Sequence, residues 1–320
     1  MIYLLLTIWL INAILILWEQ RIARIVIYLA LFSLLSSVAY LFLGSPDVAM
    51  AEAATSAFTV VFFIICFEKY FKRTKKDKGN AKPELQSIKK WSLRKIYPKL
   101  PPVIFTIFLF ALFIYVIPTE TIVTNLQDLY LSSFATDIGG ENAVTAIYLG
   151  YRVYDTLFEA LVLVTSVVAV IHMSNYKKIV VKSGKHSEIE RDGMAVFAIK
   201  IICPVMLLFG IYLILNGHIS PGGGFQGGLA IASFFICRYM IYDVYDLPIR
   251  KLIRLEEFVF AGLVIFAIVI VFWGLTSYLP PNVRPIMQTV NMISMNALIG
   301  LKVACGFIIL FYRYIAVEGK

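Results

Sequence analysis

An all-α polytopic membrane protein is the fold class this sequence predicts, and three observations carry it. Hydrophobic residues make up 60% of the 320 and charged residues only 15%, where a soluble chain carries about a quarter charged. The apolar residues come in runs long enough to cross a bilayer as helices, which takes about 20 residues each. Lys and Arg gather in every second connection between those runs, the pattern that sets membrane topology. The net charge of +9 therefore reads as a topology signal and not as a nucleic-acid surface.

The length rule gives nine spans, at approximately 2–18, 22–43, 47–70, 101–117, 154–173, 195–215, 222–242, 256–274 and 288–312. The first has no basic leader and no small-residue cleavage site, so it reads as a retained helix. Basic residues fall in 19–24 (Arg21, Arg24), in 71–100, in 174–191, in 249–254 (Arg250, Lys251, Arg254) and at the C-terminus. The intervening connections 44–46, 118–153, 216–221 and 275–287 hold only Arg152 and Arg284. Cytoplasmic loops carry the basic excess, which places the N-terminus outside and the C-terminus inside, in a cell membrane.

Two connections are long. Residues 71–100 hold eleven Lys or Arg against Asp77 and Glu84. Their end, KKWSLRKIYPK, sets Trp91, Leu93, Ile96 and Tyr97 among cations, which suits either an interfacial helix on anionic lipid or a charged linker. The stretch 118–153 is acidic. Its AVTAIYLGY segment alternates enough for a strand, so a small outer cap is expected there.

Charges inside spans are the candidate functional residues, because each costs at least ~2.5 kcal/mol on insertion scales. The third span opens SPDVAMAEAATSAFT. Asp47 sits at a well-formed helix start, behind Ser45 and Pro46, where the positive dipole end explains it. Glu52 lies ~9 Å from the middle of the span at 1.5 Å rise per residue. It shares one helix face with Thr55, Ser56 and Thr59. That stripe reads as a proton or cation relay, or as a protonated acid pairing with a neighbouring helix.

The fifth span begins YDTLFEALVLVTS. Asp155 and Glu159 are four apart on one face, with Ser166 two turns on. Paired acids cannot both ionise cheaply in a low dielectric, so a proton becomes shareable. Glu159 is the deeper of the two. Lys200 precedes Pro204 by four residues, which frees a carbonyl at that point and permits a kink; gating and simple snorkelling both fit. Lys302 falls near the centre of the ninth span, below Asn291, Ser294 and Asn296, too deep to snorkel. Glu52 and Glu159 are available partners, and the sequence alone does not pair them.

Between the sixth and seventh spans lies NGHISPGGGFQGG, Asn216–Gly228. Pro221 with Gly222, Gly223, Gly224, Gly227 and Gly228 reads as a glycine-packed turn, either plain close packing or irregular backbone beside an ion path. A lone His218 there is taken for a surface group, though it could titrate. Cys66, Cys203, Cys237 and Cys305 lie singly in apolar runs, so no metal site or disulfide is expected. No Walker loop, dinucleotide fingerprint, iron–sulfur cluster motif or haem motif occurs. No cofactor is expected in this chain.

Three of these stretches resemble known membrane proteins. NGHISPGGGFQGG resembles the signature of the B-type (MnhB) subunit of Mrp cation/proton antiporters. SPDVAMAEAATSAF resembles the D-type subunit of membrane-bound hydrogenases, which also forms part of the large A-type subunit of Mrp. ENAVTAIYLGYRVYDTLFEA resembles the E-type subunit found beside it. The resemblance implies a fusion: a D-type module over 1–75, a basic linker over 76–99, an E-type module over 100–175, a second linker over 176–194 and an MnhB-like module over 195–320. A small residue, often glycine, is usual near Ser56, and serine is a mild departure.

The resemblance further implies a membrane subunit of a multisubunit complex with other Mrp- or hydrogenase-type subunits as partners, alone or with a respiratory arm. Na⁺ and H⁺ would be the transported ions, and Glu52 and Glu159 would sit in the polar path. The competing expectation is a scaffold whose polar residues only lock helices together.

Overall fold

The computed structural model describes residues 2–77, 108, 111, 123–173, 193–242, 249–273 and 280–316. The chain forms two compact units, Met1–Lys72 with Phe134–Lys320, and Arg73–Ser133. Within the second unit the longest described element is the first part of one helix, α4 (Val123–Asp137).

Nearly every described residue of the first unit is helical, and none is in a strand. The elements are α1 (Ile2–Trp18), α2 (Ile22–Phe42), α3 (Pro46–Asp77), the short α5 (Ala143–Ala146) with a π-helical turn at Ile147–Tyr151, and α6 (Val153–Met173). They continue with α7 (Gly193–Asn216), α8 (Gly224–Tyr242), α9 (Ile249–Trp273) and α10 (Arg284–Ala316). Among the described residues, five helices are long and apolar enough to cross a membrane: Ile22–Phe42, Pro46–Ile65, Val153–Met173, Val196–Asn216 and Arg284–Tyr314. Helices also occupy the predicted spans at 2–18, 222–242 and 256–274. The predicted span at 101–117 lies almost wholly outside the described residues, as do the connections 78–100 and 174–192.

Local chemistry explains the helix pairs. Trp9 stacks on Phe32 with ring centroids 4.6 Å apart and donates from Nε1 to Ser36 Oγ at 2.7 Å, which fixes α1 on α2. In the loop between them the Arg21 and Gln20 backbone N–H groups donate to the Glu19 carboxylate. The Arg21 bond holds that carboxyl below its ordinary pKa. The turn from α2 into α3 passes through Gly44 at φ +74°, and Ser37 Oγ donates to Ala49 O across it.

The core is centred on α10. Met292, Met295, Ile299, Val303, Ile308 and Phe311 from that helix pack with Leu229 and Ile236 of α8 and Leu263 of α9. Small residues let the backbones meet. A methyl at Gly228 would stand 2.5 Å from Gly300 O of α10, and one at Gly227 would stand 2.6 Å from Gly210 O of α7. In lipid such close approach is the main source of helix association, because the solvent supplies no hydrophobic drive.

The stretch 138–151 corrects the sequence expectation of a strand in an outer cap. Its alternation is real, but Asn142 caps the segment as a helix, its side chain accepting from the Val144 and Thr145 backbone N–H groups. Tertiary burial then holds it: Thr145, Ala146 and Leu149 are buried, the last two within the core. A half-buried alternating segment is ambiguous by periodicity alone, and the cap with its packing decides for helix.

The glycine packing generates a direct expectation. Gly228→Val should lower the melting temperature of the detergent-solubilised protein by several degrees, since overpacking costs ~1–3 kcal/mol. Substituting Gly262 by Ala, where a methyl would meet open space, should not lower the melting temperature.

Candidate functional site

Lys302 lies in the interior of α10 and is 0% exposed. Its Nζ stands 3.3 Å from Glu256 Oε1 on α9, and the Glu256 side chain is equally enclosed. Opposite charge holds the pair. The Phe260 ring, one turn along α9, lies 5.9 Å from the same Nζ, within cation–π range. Charge kept inside an apolar bundle needs such partners, because removing either one strands the other.

Beside this pair is a cavity of about 340 Å³. Lys302, Ile299, Val303 and Phe307 of α10, Phe225 of α8, and Thr156, Glu159, Leu163 and Ser166 of α6 line it. Its walls are mostly apolar, with Glu159 and Lys302 as the ionisable groups among the lining residues. Glu159 and Ser166 are exposed on the α6 side, so the cavity opens laterally there. Three titratable groups are thus arranged in series: Glu159 at the mouth, Lys302 across the cavity, Glu256 behind it.

The structure supplies the partner of Lys302, which the sequence left open. Its ion-pair partner is Glu256, not Glu52 or Glu159. Glu256 was missed because the sequence rule started that span at 256, behind the basic cluster Arg250, Lys251 and Arg254. In the structure α9 begins at Ile249, which carries Glu256 two turns into the helix. Glu52 is half-buried and accepts a hydrogen bond from Ser33 of α2. Thr55 and Thr59 donate to the carbonyls of Ala51 and Thr55 one turn back, so those hydroxyls serve their own helix; Ser56 is half-buried beside them.

Asp155 lies at the start of α6. It pairs with Arg152 at 2.5 Å, both side chains more than half exposed. A pair that exposed contributes little to stability. Lys200 is exposed on α7, one turn before Pro204, which lies inside that helix.

Asp47 does far more than begin a helix. It is buried, and its Oδ1 accepts from Asn142 Nδ2 at 2.9 Å and from the Gly222 backbone N–H at 3.1 Å. Asn142 Nδ2 donates as well to the carbonyls of Gly217 and Ser220. His218 is buried, not a surface group, and its carbonyl accepts from the backbone N–H groups of Glu141 and Asn142. Gly222 adopts φ +138°, a conformation open to glycine, while Pro221 beside it is exposed. Deeper in, Asn296 Oδ1 accepts from both the Gly224 backbone N–H and Tyr148 Oη, each at 3.0 Å. Asn142 and Tyr148 escaped the sequence reading because the strand expectation put them in a surface cap.

With that geometry in view, comparison with known proteins places both ends of the chain. Residues 194–311 match the model of a domain related to the MnhB subunit of the Na⁺/H⁺ antiporter, and residues 7–72 match that of MbhD, the D-type subunit of MBH. The chain joins an MbhD-like segment to an MnhB-related domain. An mnhB2 relative from Staphylococcus haemolyticus is 36% identical over 88 residues, which is 27% of this chain and 62% of that protein. The match therefore spans somewhat under two thirds of the relative's length. In the solved Mrp complex from Dietzia sp. DQ12-45-1b, one chain superposes on 99% of this one with a TM-score of 0.70 at 15% identity, using 35% of its own length. The membrane-bound sulfane sulfur reductase, an archaeal respiratory membrane complex, holds a chain matched over 98% of its length and 70% of this one, with a TM-score of 0.51 at 24% identity. Those two likenesses show the fold.

The MnhB-related domain supplies both members of the buried ion pair, which yields a stability test. Lys302→Met or Glu256→Gln alone should each cost roughly 3–5 kcal/mol, the usual effect of leaving one buried charge unmatched. The double variant should recover most of that loss in thermal denaturation of the solubilised protein.

Proposed function

We propose that this chain is a membrane subunit of an Mrp-type Na⁺/H⁺ antiporter module and contributes part of the ion path through its own helices. The observation that carries this reading is the pair Glu159 and Lys302 lining one cavity, with Glu256 behind the lysine. A lysine held 0% exposed in a membrane helix costs stability that a scaffold could avoid by using an apolar residue. Such groups mark ion pathways by default. The MnhB match and the Mrp fold likeness support the same assignment.

In this reading Lys302 passes its proton to the Glu256 carboxylate, and the neutral amine so formed takes up the proton that arrives from Glu159 across the cavity. Loss of the lysine's proton weakens its pairing with Glu256 and its return strengthens it, so occupancy at the mouth is felt at the far side of α10. Hard cations such as Na⁺ prefer carboxylate and carbonyl oxygens, and Glu159 offers the former at the open side. Glu52, with Ser33, forms a second polar point in the MbhD-like segment. Partner subunits of Mrp or hydrogenase type would cover the open face of α6 in a nine-span arrangement with the N-terminus outside. A respiratory arm on the same complex is compatible with the likeness to the sulfane sulfur reductase.

The test is sodium-coupled proton flux by the reconstituted complex. Glu159→Gln should abolish it while the subunits still co-purify. Normal flux in that variant contradicts a path through the cavity. Loss of subunits from the complex instead favours the scaffold reading.

A further inference from the structure

The end of the cavity toward the glycine turn is closed in an unusual way. Thr156, Phe225 and Ile299 line the cavity, and each is tied to the contact between Tyr148 and Asn296. Thr156 Oγ1 donates to Tyr148 O at 2.7 Å. Phe225 follows Gly224, whose N–H is bound by Asn296. Ile299 lies one turn after Asn296 on α10. Beyond this layer come Thr145, fully buried, and the Asp47 knot.

We propose that Tyr148, Asn296 and the glycines packed on them form a proton-tight plug that closes the cavity toward the glycine turn. This rests on the cavity being part of the ion path.

Two properties of the layer argue for a plug and against a relay. The first is chemical. Asn296 Oδ1 already accepts from two donors, and an amide has no proton to pass on at neutral pH. Asp47 Oδ1 is likewise held by an amide N–H and a backbone N–H, neither of which relays protons. Tyr148 therefore gives its one proton to a dead end at Asn296, and the neighbouring Thr145 hydroxyl donates to the Gly222 carbonyl, a backbone acceptor that passes no proton on. The second is steric. A methyl placed on Gly223 would overlap Tyr148 Oη, and one on Gly224 would stand 2.5 Å from Asn296 O. A seam that cannot admit a methyl cannot admit a hydrated cation. The glycine motif thus does more than pack helices: it lets a phenol and an amide close the bundle over a cavity that must not leak.

The experiment uses the intact complex in proteoliposomes, with passive proton leak measured in the absence of a Na⁺ gradient and coupled flux measured in its presence. Tyr148→Phe keeps the ring and removes only the hydroxyl, so coupled flux should persist and leak should stay at the wild-type background. Tyr148→Ala opens the layer, and leak should rise about tenfold, the change produced by lowering a barrier by ~1.4 kcal/mol. If Tyr148→Ala does not assemble, Gly223→Ala displaces the same phenol and takes its place. Adding Glu159→Gln to the leaking variant should return leak to background. Loss of coupled flux in Tyr148→Phe, or no leak in an assembled Tyr148→Ala or Gly223→Ala complex, overturns the plug. A leak that survives Glu159→Gln supports the plug and contradicts the ion-path reading of the cavity.

Discussion

The attraction between Lys302 and Glu256 is the constraint on which the bundle around the cavity depends. Both are enclosed, and two charges out of water remain tolerable only while they face each other. That requirement fixes the rotation of α10 against α9 and so decides which residues of α10 look toward α6. The same rotation puts Val303 and Phe307 on the cavity wall and leaves Asn296, nearer the glycine turn, to meet Gly224. An apolar pair at these two positions would pack the helices without defining that register.

At the other end a carboxylate plays the organising part. Asp47 comes from the MbhD-like segment, Asn142 from the stretch before α6, and Gly222 from the MnhB-related domain. One buried oxygen therefore ties together three parts of the sequence that are far apart in the chain. The network is nearly complete, since Asn142 spends both ends of its amide, on the α5 cap and on the carbonyls of the turn. Buried polar networks of this kind specify a single arrangement more than they add net stability. A chain built of successive modules needs that specificity where they meet.

Much of this was legible in the sequence, and the failures have physical causes. The helical class, the fused MbhD-like and MnhB-related parts and the depth of Lys302 all follow from run length and motif, since each is a local property of the chain. The partner of Lys302 is not local: α9 starts at Ile249, well before the apolar run does, and the basic residues of its first turns hide Glu256 from a hydropathy rule. Asn142 and Tyr148 were hidden by an alternation that reads as a strand until the tertiary core is known. Asp47 was explained too cheaply, because a helix dipole accounts for an acid at a helix start without revealing a second partner 175 residues away.

Whether charge crosses the cavity is decided most directly by what fills it. A high-resolution cryo-EM map of the assembled complex should show ordered water joining the Glu159 carboxylate to Lys302 Nζ through the 340 Å³ space. A lipid chain or a partner side chain filling that space, with no water between the two groups, would contradict the account.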